Sequence, residues 1–371
     1  MKVLHLTSTF PRFDGDPVGT FLVDLLRAER EAGVEVRVVA PDAPGAQTSI
    51  DGVSVRRFRA SPRLAYRGGL LAAARSPIGL TMVGPYLASM TIAARSEAAR
   101  WKPDLVHAHW WFPAGGVAAV IGQPFVLTLH GSDVGLASRR GFGFAAKVVA
   151  RRARDVVAVS DALAAEATGG MGRRVGVAVM PVVVDGGARH QEGAHDAGEG
   201  TVLAVGRLAP EKGFDLLVAA AAMAGVAVEI VGAGPEEALL RQAGATILAP
   251  MARAELHARI ARATAVVVPS RREGLGLVAL EAILIGTPVI ATAVGGLPEV
   301  LGAAGAAPRP GVPEVVPGGL LVAPGDIGDL AAALGRADLL PPPSTTTAGR
   351  HRPTVVAQRH VKLYQAAIET P

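Results

Sequence analysis

The stretch S-R-R-E-G-L-G-L-V-A-L-E-A-I-L-I-G-T-P-V-I-A-T-A-V-G-G-L-P-E-V, residues 270–300, decides the fold. An apolar run, Ala265 to Val268, stops at Pro269 and Ser270, and a polar turn then carries Glu273. Gly274 and Gly276 flank Leu275, and Leu277 to Ile285 reads as an apolar helix that ends at Gly286. Strand, glycine-bearing turn and helix start, in that order, aim free backbone amides at an anion. Glu281 lies inside the helix, with seven residues between it and Glu273. Along an ideal helix that separation is roughly 12 Å with a rotation of about 80°. Paired hydrolytic carboxylates sit closer, at roughly 5 to 9.5 Å. The spacing favours two separate hydroxyl-recognition points flanking an anion over one acid/base pair, unless the turn folds Glu273 back.

On both sides of this stretch, short Val-rich runs alternate with helical patterns. Upstream, Val3 to Thr7, Val34 to Ala40, Val53 to Phe58, Leu105 to His107, Phe125 to His130, Val156 to Val159 and Val175 to Val179 read as strands. Helical patterns at Thr20 to Ala32, Ile78 to Arg100, Ala145 to Arg152 and Asp161 to Thr168 separate most of them. Residues 181–200 begin with proline and end in Q-E-G-A-H-D-A-G-E-G, without apolar periodicity, and read as a linker. The alternation then restarts, with strands at Val202 to Val205, Val228 to Val231, Thr246 to Leu248, Ala265 to Val268 and Val289 to Ala291, and helices near Phe214 to Met223, Glu236 to Ala243 and Ala254 to Ala261. Alternation of this kind makes parallel sheets buried on both faces. The expectation is an α/β chain of two Rossmann-like domains, 1–180 and 201–340, facing each other across a cleft. Ligands of such sheets bind beyond the carboxyl ends of the strands. Leu301 to Pro317, rich in Gly, Ala and Pro, looks like an insertion, and Thr354 to Ile368 reads as a final helix.

Bulk properties remove several function classes. With 371 residues and 50% hydrophobic content, two cores are affordable. The absence of cysteine excludes disulfides and thiolate metal sites and suits a reducing compartment. A net charge of +5 admits nucleic acid, an anionic membrane or anionic substrates, but aromatics at 4% and no basic-aromatic motif set nucleic acid aside. M-K-V-L-H-L-T-S-T is too short and polar for a signal peptide and reads as a first strand, so the expected location is cytoplasmic. Ser76 to Ser96 approaches the length of a membrane span, but its prolines and glycines argue against one.

Within the opening stretch, E-G-L-G-L-V-A-L-E resembles the E-x7-E signature of the retaining glycosyltransferases of family 4, GT-B enzymes that use nucleotide-sugar donors, and G-T-P-V-I-A-T-A-V-G-G-L-P-E-V extends the likeness. The resemblance implies that Glu273 meets a hydroxyl of the transferred sugar and Glu281 the donor ribose, with amides of Gly274, Leu275 and Gly276 on sugar and diphosphate. V-G-R-L-A-P-E-K-G, residues 205–213, ends a strand and opens a helix. Its Arg207 offers a planar fork and its Lys212 a mobile point charge. Together they could neutralise a diphosphate leaving group, a role in which one charge contributes a few kcal/mol. The resemblance places Gly206, Arg207 and Lys212 on the donor phosphates, and it implies that the C-terminal helix, 354–371, returns to join the first domain.

V-G-A-G-P, residues 231–235, lacks the last glycine of the dinucleotide fingerprint, so a nicotinamide cofactor is not indicated. Gly232 and Gly234 let backbone approach the nucleotide or, equally, let the turn pack tightly. Met251 follows the next strand, where the family contacts the base. In the first domain, V-L-T-L-H-G-S-D-V puts His130 at a strand end, where the family has a histidine close to the transferred sugar, and Asp133 then orients it or meets the acceptor. His109, in H-A-H-W-W-F-P-A-G-G, is placed on the acceptor side; with no cysteine or acidic partner at ligand spacing to it or His107, no metal is expected. F-P-R-F-D-G-D-P-V-G-T-F, residues 10–21, corresponds to the family's glycine-rich loop, but the usual Gly-Gly is Gly15-Asp16, with Gly19 further on. Either glycine is a donor-phosphate candidate and Asp16 an acceptor-side one. D-G-D imitates a D-x-D metal motif, which the two cations make unnecessary.

Arg139, Arg140, Lys147, Arg151, Arg152 and Arg154 form a basic cluster, read either as a solvated helix face or as attraction to an anionic membrane or acceptor. The expected function is retaining transfer of a sugar from a UDP- or GDP-sugar to an acceptor nucleophile, without metal or cofactor, by a monomer or homodimer, with peripheral contact at the inner membrane face through this cluster. A non-catalytic nucleotide-sugar-binding protein, an epimerase or a phosphorylase of the same fold are the alternatives; the last lacks any signal for a pyridoxal lysine.

Overall fold

In the computed structural model, residues 1–61, 64, 77–139, 141–184, 186–188 and 201–369 are described. The linker tail at 191–200 and Arg140 of the basic cluster lie outside them. The chain divides into two compact units, Met1–Pro181 with His351–Pro371, and Val182–Arg350.

The first unit is built on strands β1 (Lys2–Leu6), β2 (Glu35–Pro41), β3 (Ser49–Ile50), β4 (Val53–Phe58), β5 (Leu105–His109), β6 (Phe125–Leu129), β7 (Asp155–Ala158) and β8 (Gly176–Val177). Their order is β3-β4-β2-β1-β5-β6-β7-β8, and every pair is parallel except the short β3–β4 ribbon. Helices α1 (Thr20–Glu31), α2 (Pro77–Trp101), α3 (Ser132–Ala137), α4 (Phe142–Arg152) and α5 (Asp161–Met171) connect the strands. Residues of β5 and β6 are buried throughout, which is why these strands are continuously apolar apart from their histidines and Thr128. Strand order reverses between β1 and β5, where His5 lies opposite His107.

The second unit repeats the plan with β9 (Val202–Val205), β10 (Val228–Val231), β11 (Thr246–Leu248), β12 (Ala265–Val268), β13 (Val289–Thr292), β14 (Glu314–Val316) and β15 (Gly319–Val322), ordered β11-β10-β9-β12-β13-β15-β14. Helices α6 (Phe214–Ala224), α7 (Glu237–Gln242), α8 (Arg253–Arg262), α9 (Leu277–Ile285), α10 (Leu297–Val300) and α11 (Ile327–Leu334) complete it. Its core joins Val202, Ala204, Val267, Ile290 and Leu320 of the strands to Phe214 and Leu217 of α6 and Leu330 of α11. The reversal falls between β9 and β12. Part of the expected insertion becomes an edge strand, since β14 pairs antiparallel with β15. The final helix, α12 (Pro353–Glu369), belongs to the first unit, where it buries Val356, His360 and Tyr364. Among the described residues no helix is long and apolar enough to cross a membrane.

One contact decides how the second unit's carboxyl edge is arranged. Gly213, at φ 68°, lies so near the end of β12 that a Cβ there would stand 2.1 Å from the Pro269 carbonyl oxygen. No side chain fits that gap, and the left-handed backbone adds strain for any other residue. Gly213→Ala is expected to destabilise the second unit by about 2 kcal/mol or more, read as a lowered urea midpoint; an unchanged midpoint would show that the turn can stand off from β12.

Candidate active site

The turns that follow β9 and β12 stand side by side at the second unit's strand reversal, the place where open parallel sheets receive ligands. Lys212 Nζ donates to Glu273 Oε2 at 2.6 Å, and Ser270 Oγ donates to the same oxygen at 3.2 Å. Gly295 closes the other side, for a Cβ there would meet the Glu273 carbonyl oxygen at 1.8 Å. Helix α9 then starts from Gly276 in a left-handed conformation with no side chain capping it. Its first-turn amides therefore have neither an intrahelical partner nor a side-chain cap. A primary ammonium beside open helix-start amides is a place for a phosphate, and Glu273 adds an acceptor for a hydroxyl next to it.

The other candidates of this unit fall at varied distances from that pair. Leu275 is buried, and Gly274 N–H bonds the Glu273 carboxylate at 3.2 Å. Glu281 is partly open on α9, 3.9 Å from the buried His257 Nε2 of α8, a neighbour no sequence pattern announces. Arg207 is exposed and pairs with Glu211, so the structure groups it with that residue and not with Glu273. Arg271, missed in the sequence, grips Asp215 through two bonds of 2.7 Å and fastens the Ser270 turn to α6. Gly206 adjoins Phe214 of α6. Gly232 and Gly234 have a packing explanation: a Cβ would come within 1.9 Å of the Gly206 carbonyl oxygen or 2.3 Å of that of Leu208. Met251 lies half-buried in the loop after β11.

In the first unit, His130 follows β6 and stacks on Trp110, with ring centroids 4.4 Å apart, while Phe21 of α1 stands 5.5 Å away. Its Nε2 lies 3.1 Å from His109 Nδ1. Asp133 holds the backbone below it, accepting from the amides of His130, Gly131 and Trp111 at 3.1, 2.9 and 3.2 Å. Burial pushes the Asp133 carboxyl up, and those amides pull it partly back. Asp16 is buried and engaged by Arg12, 2.6 Å from its Nε, and by Val18 N–H. Although burial alone raises Asp16, Arg12 keeps it below the usual carboxylate range. Gly15 is exposed, and Gly19 caps the start of α1. The described members of the basic cluster, Arg139, Lys147, Arg151, Arg152 and Arg154, are exposed on α4 and its flanks, beside an exposed Phe144.

His109 is buried, and a carboxylate that the sequence did not reveal reaches its neighbour His5 from α1. His5, His107 and His109 bring ring nitrogens within 4.8 Å of one another. His5 Nε2 stands 2.9 Å from Glu29 Oε2. The ring nitrogens of these histidines also face protein partners. His109 turns its nitrogens to His5 and His130, and His107 turns its own to Tyr364 and Thr128.

Residues 18–183 match the family described as "Glycosyl transferase 4-like domain", and residues 187–340 match "Glycosyl transferases group 1". The 2-deoxystreptamine N-acetyl-D-glucosaminyltransferase of Streptomyces fradiae is 32% identical, over 96% of this chain and 91% of that protein. The chain is a family 4-type glycosyltransferase. The D-inositol 3-phosphate glycosyltransferase of Geodermatophilus obscurus is 31% identical, over 96% and 86% of the two chains. Among solved structures, Anabaena HepE in complex with UDP and glucose has a TM-score of 0.68 at 20% identity, over 99% of this chain and 100% of that one, which agrees with a GT-B fold for the glycosyltransferase.

The histidines of this glycosyltransferase make its stability depend on pH. Burial pushes His130 down to about 3. It also lowers His107 and His109 strongly, with neighbouring histidines adding to the effect, and lowers His360. Below the unfolded value of 6.5 the unfolded chain takes up protons that the folded site refuses, so stability is lost as pH falls from 6.5 toward 3 and is unaffected above. Between pH 6.5 and about 5, His130→Gln is expected to lose about 2 kcal/mol less stability than the parent. Urea titrations at the two pH values check this, and identical losses would place a proton on His130 in the fold.

Proposed function

We propose that this glycosyltransferase moves a sugar, with retention of anomeric configuration, from a UDP- or GDP-sugar to an acceptor nucleophile by a metal-independent front-face mechanism. The observation that carries the proposal is the placement of Lys212 on Glu273 beside the uncapped start of α9, at the strand reversal of the second unit. As the glycosidic bond lengthens, negative charge grows on the leaving diphosphate. Lys212, once its pair with Glu273 opens, and the amides of Gly274 to Gly276 meet that charge, and a positive field placed there in advance replaces the screening a metal would supply. Glu273, released from Lys212 when phosphate takes its place, accepts from a hydroxyl of the transferred sugar. Glu281 receives the donor ribose, Arg207 swings from Glu211 to the diphosphate, and His130 bonds the sugar.

Neither Glu273 nor Glu281 is required as a nucleophile in this scheme. The departing phosphate oxygen takes the acceptor's proton on the face from which it leaves, so the new bond forms there and configuration is kept. The curated relatives named above carry cyclitols in their names, 2-deoxystreptamine and D-inositol 3-phosphate, so these belong in the acceptor panel.

Incubation with UDP-, GDP- and ADP-sugars, with and without acceptors and with EDTA present, is expected to release nucleoside diphosphate from a UDP- or GDP-sugar and to give product of unchanged anomeric configuration by NMR. Lys212→Ala is expected to lower turnover by about 100-fold or more with a smaller change in donor affinity. Glu281→Ala is expected to weaken nucleoside diphosphate binding by about 10-fold, the loss of one buried hydroxyl contact. Donor binding without release under any acceptor would instead mark a nucleotide-sugar-binding protein.

A further inference from the structure

Behind His130 the first unit holds a run of polar groups that the transfer chemistry leaves unused. Glu29 of α1 is fully buried, and its two oxygens face different partners. Oε2 meets His5 Nε2 at 2.9 Å, and Oε1 accepts from the Tyr364 hydroxyl of α12. From these the contacts continue in two branches. In one, His5 Nδ1 lies 3.1 Å from His109 Nε2, and His109 Nδ1 lies 3.1 Å from His130 Nε2. In the other, His107 Nδ1 lies 2.6 Å from the Tyr364 hydroxyl, and His107 Nε2 lies 2.7 Å from Thr128 Oγ1.

A neutral imidazole has one donor nitrogen and one acceptor nitrogen, so a chain of them has a direction. A carboxylate only accepts, and a bare lone pair on His5 Nε2 would repel it at 2.9 Å; His5 therefore carries its proton there. His5 Nδ1 must then accept from His109 Nε2, and His109 Nδ1 from His130 Nε2. Tyr364 gives its proton to Glu29, so its oxygen accepts from His107 Nδ1–H, and His107 Nε2 accepts from Thr128. We propose that Glu29 is a positioning residue, whose carboxylate sets the direction of this chain so that His130 carries its proton on Nε2 and offers Nδ1 as a hydrogen-bond acceptor. This rests on the role given to His130 above, and it specifies that role: His130 Nδ1 accepts a hydrogen bond from a hydroxyl of the sugar and does not donate one.

The titratable groups packed on the chain are His5 from β1, Glu29 from α1, His107 and His109 from β5, His130 after β6, and His360 and Tyr364 from α12. Despite burial, which alone raises it, Glu29 is held below the ordinary carboxylate value by His5, His360 and Tyr364, which keeps it an acceptor on both sides. A second proton on His5 would make it a donor in both directions and reverse the His130 branch. The direction therefore belongs to the uncharged histidines and is read at about pH 8, above their ordinary value.

Glu29→Gln tests the arrangement, because an amide has one acceptor oxygen where the carboxylate has two. Its nitrogen must donate to either His5 or Tyr364, so one branch has to reverse. In protein labelled with 15N-histidine, ring proton–nitrogen correlations are expected to show Nε2–H on His130 and Nδ1–H on His107 in the parent, and one of the two switched in Glu29→Gln. Parent protein with the proton on Nδ1 of His130, or a variant with both rings as in the parent, overturns the proposal; the parent spectrum alone decides should the variant not fold. Where the His130 branch reverses, turnover is expected to fall by roughly 10- to 100-fold with donor KM little changed, since Glu29 touches no substrate. A reversed His130 with full turnover would leave the chain as drawn and remove His130 from the transfer reaction.

Discussion

The absence of a side chain at Gly213 is the constraint on which the donor side depends. Because backbone can lie against the Pro269 carbonyl oxygen there, the turn after β9 reaches the turn after β12, and Lys212 arrives on Glu273. Gly295 lies against the Glu273 backbone carbonyl, so the main chain that carries the carboxylate is fixed by packing, and the carboxylate itself by Lys212 and Ser270. The ammonium and the carboxylate are partly open to water, and their pairing by itself is worth little. Its value lies in readiness: a lysine already held at the strand reversal loses little freedom when a phosphate replaces the carboxylate as its partner.

Both units use the same topological position for different chemistry. In the second, the reversal between β9 and β12 gathers a cation, a carboxylate and a helix start at the open edge of the sheet. In the first, the reversal between β1 and β5 gathers His5, His107 and His109: His5 lies opposite His107 in register, and His109 follows two residues on, on the same face of β5. Glu29 and Tyr364 close that polar cluster, with Glu29 Oε2 2.9 Å from His5 Nε2 and Oε1 accepting from the Tyr364 hydroxyl, so the direction of each contact depends on the others.

Parallel strands buried on both faces are runs of Val, Ile, Leu and Ala with few alternatives, so Val202–Val205 and Ala265–Val268 could be read from the chain to the residue. Helix α9 was equally legible, since glycines bracket nine residues that are apolar apart from Glu281. What escaped were very short hairpin arms and polar contacts between residues far apart in the chain. β3 and β14 are two and three residues long and exist only because β4 and β15 lie beside them. Glu29, in R-A-E-R-E, reads as the solvated face of a helix until α12 is brought over it by a bond spanning 335 residues. His5 reads as an exception inside an apolar strand for the same reason. Arg207 was legible as a cation in the right turn, but its choice of Glu211 over Glu273 is a side-chain matter that spacing does not fix.

The central claim is that the pair formed by Lys212 and Glu273 opens to receive the leaving diphosphate. A crystal structure with a bound nucleoside diphosphate tests it most directly. The account expects the terminal phosphate within hydrogen-bond reach of Lys212 Nζ and of the amides at Gly274 to Gly276, with Glu273 separated from the lysine. A nucleotide seated elsewhere, with Lys212 still on Glu273, would contradict it.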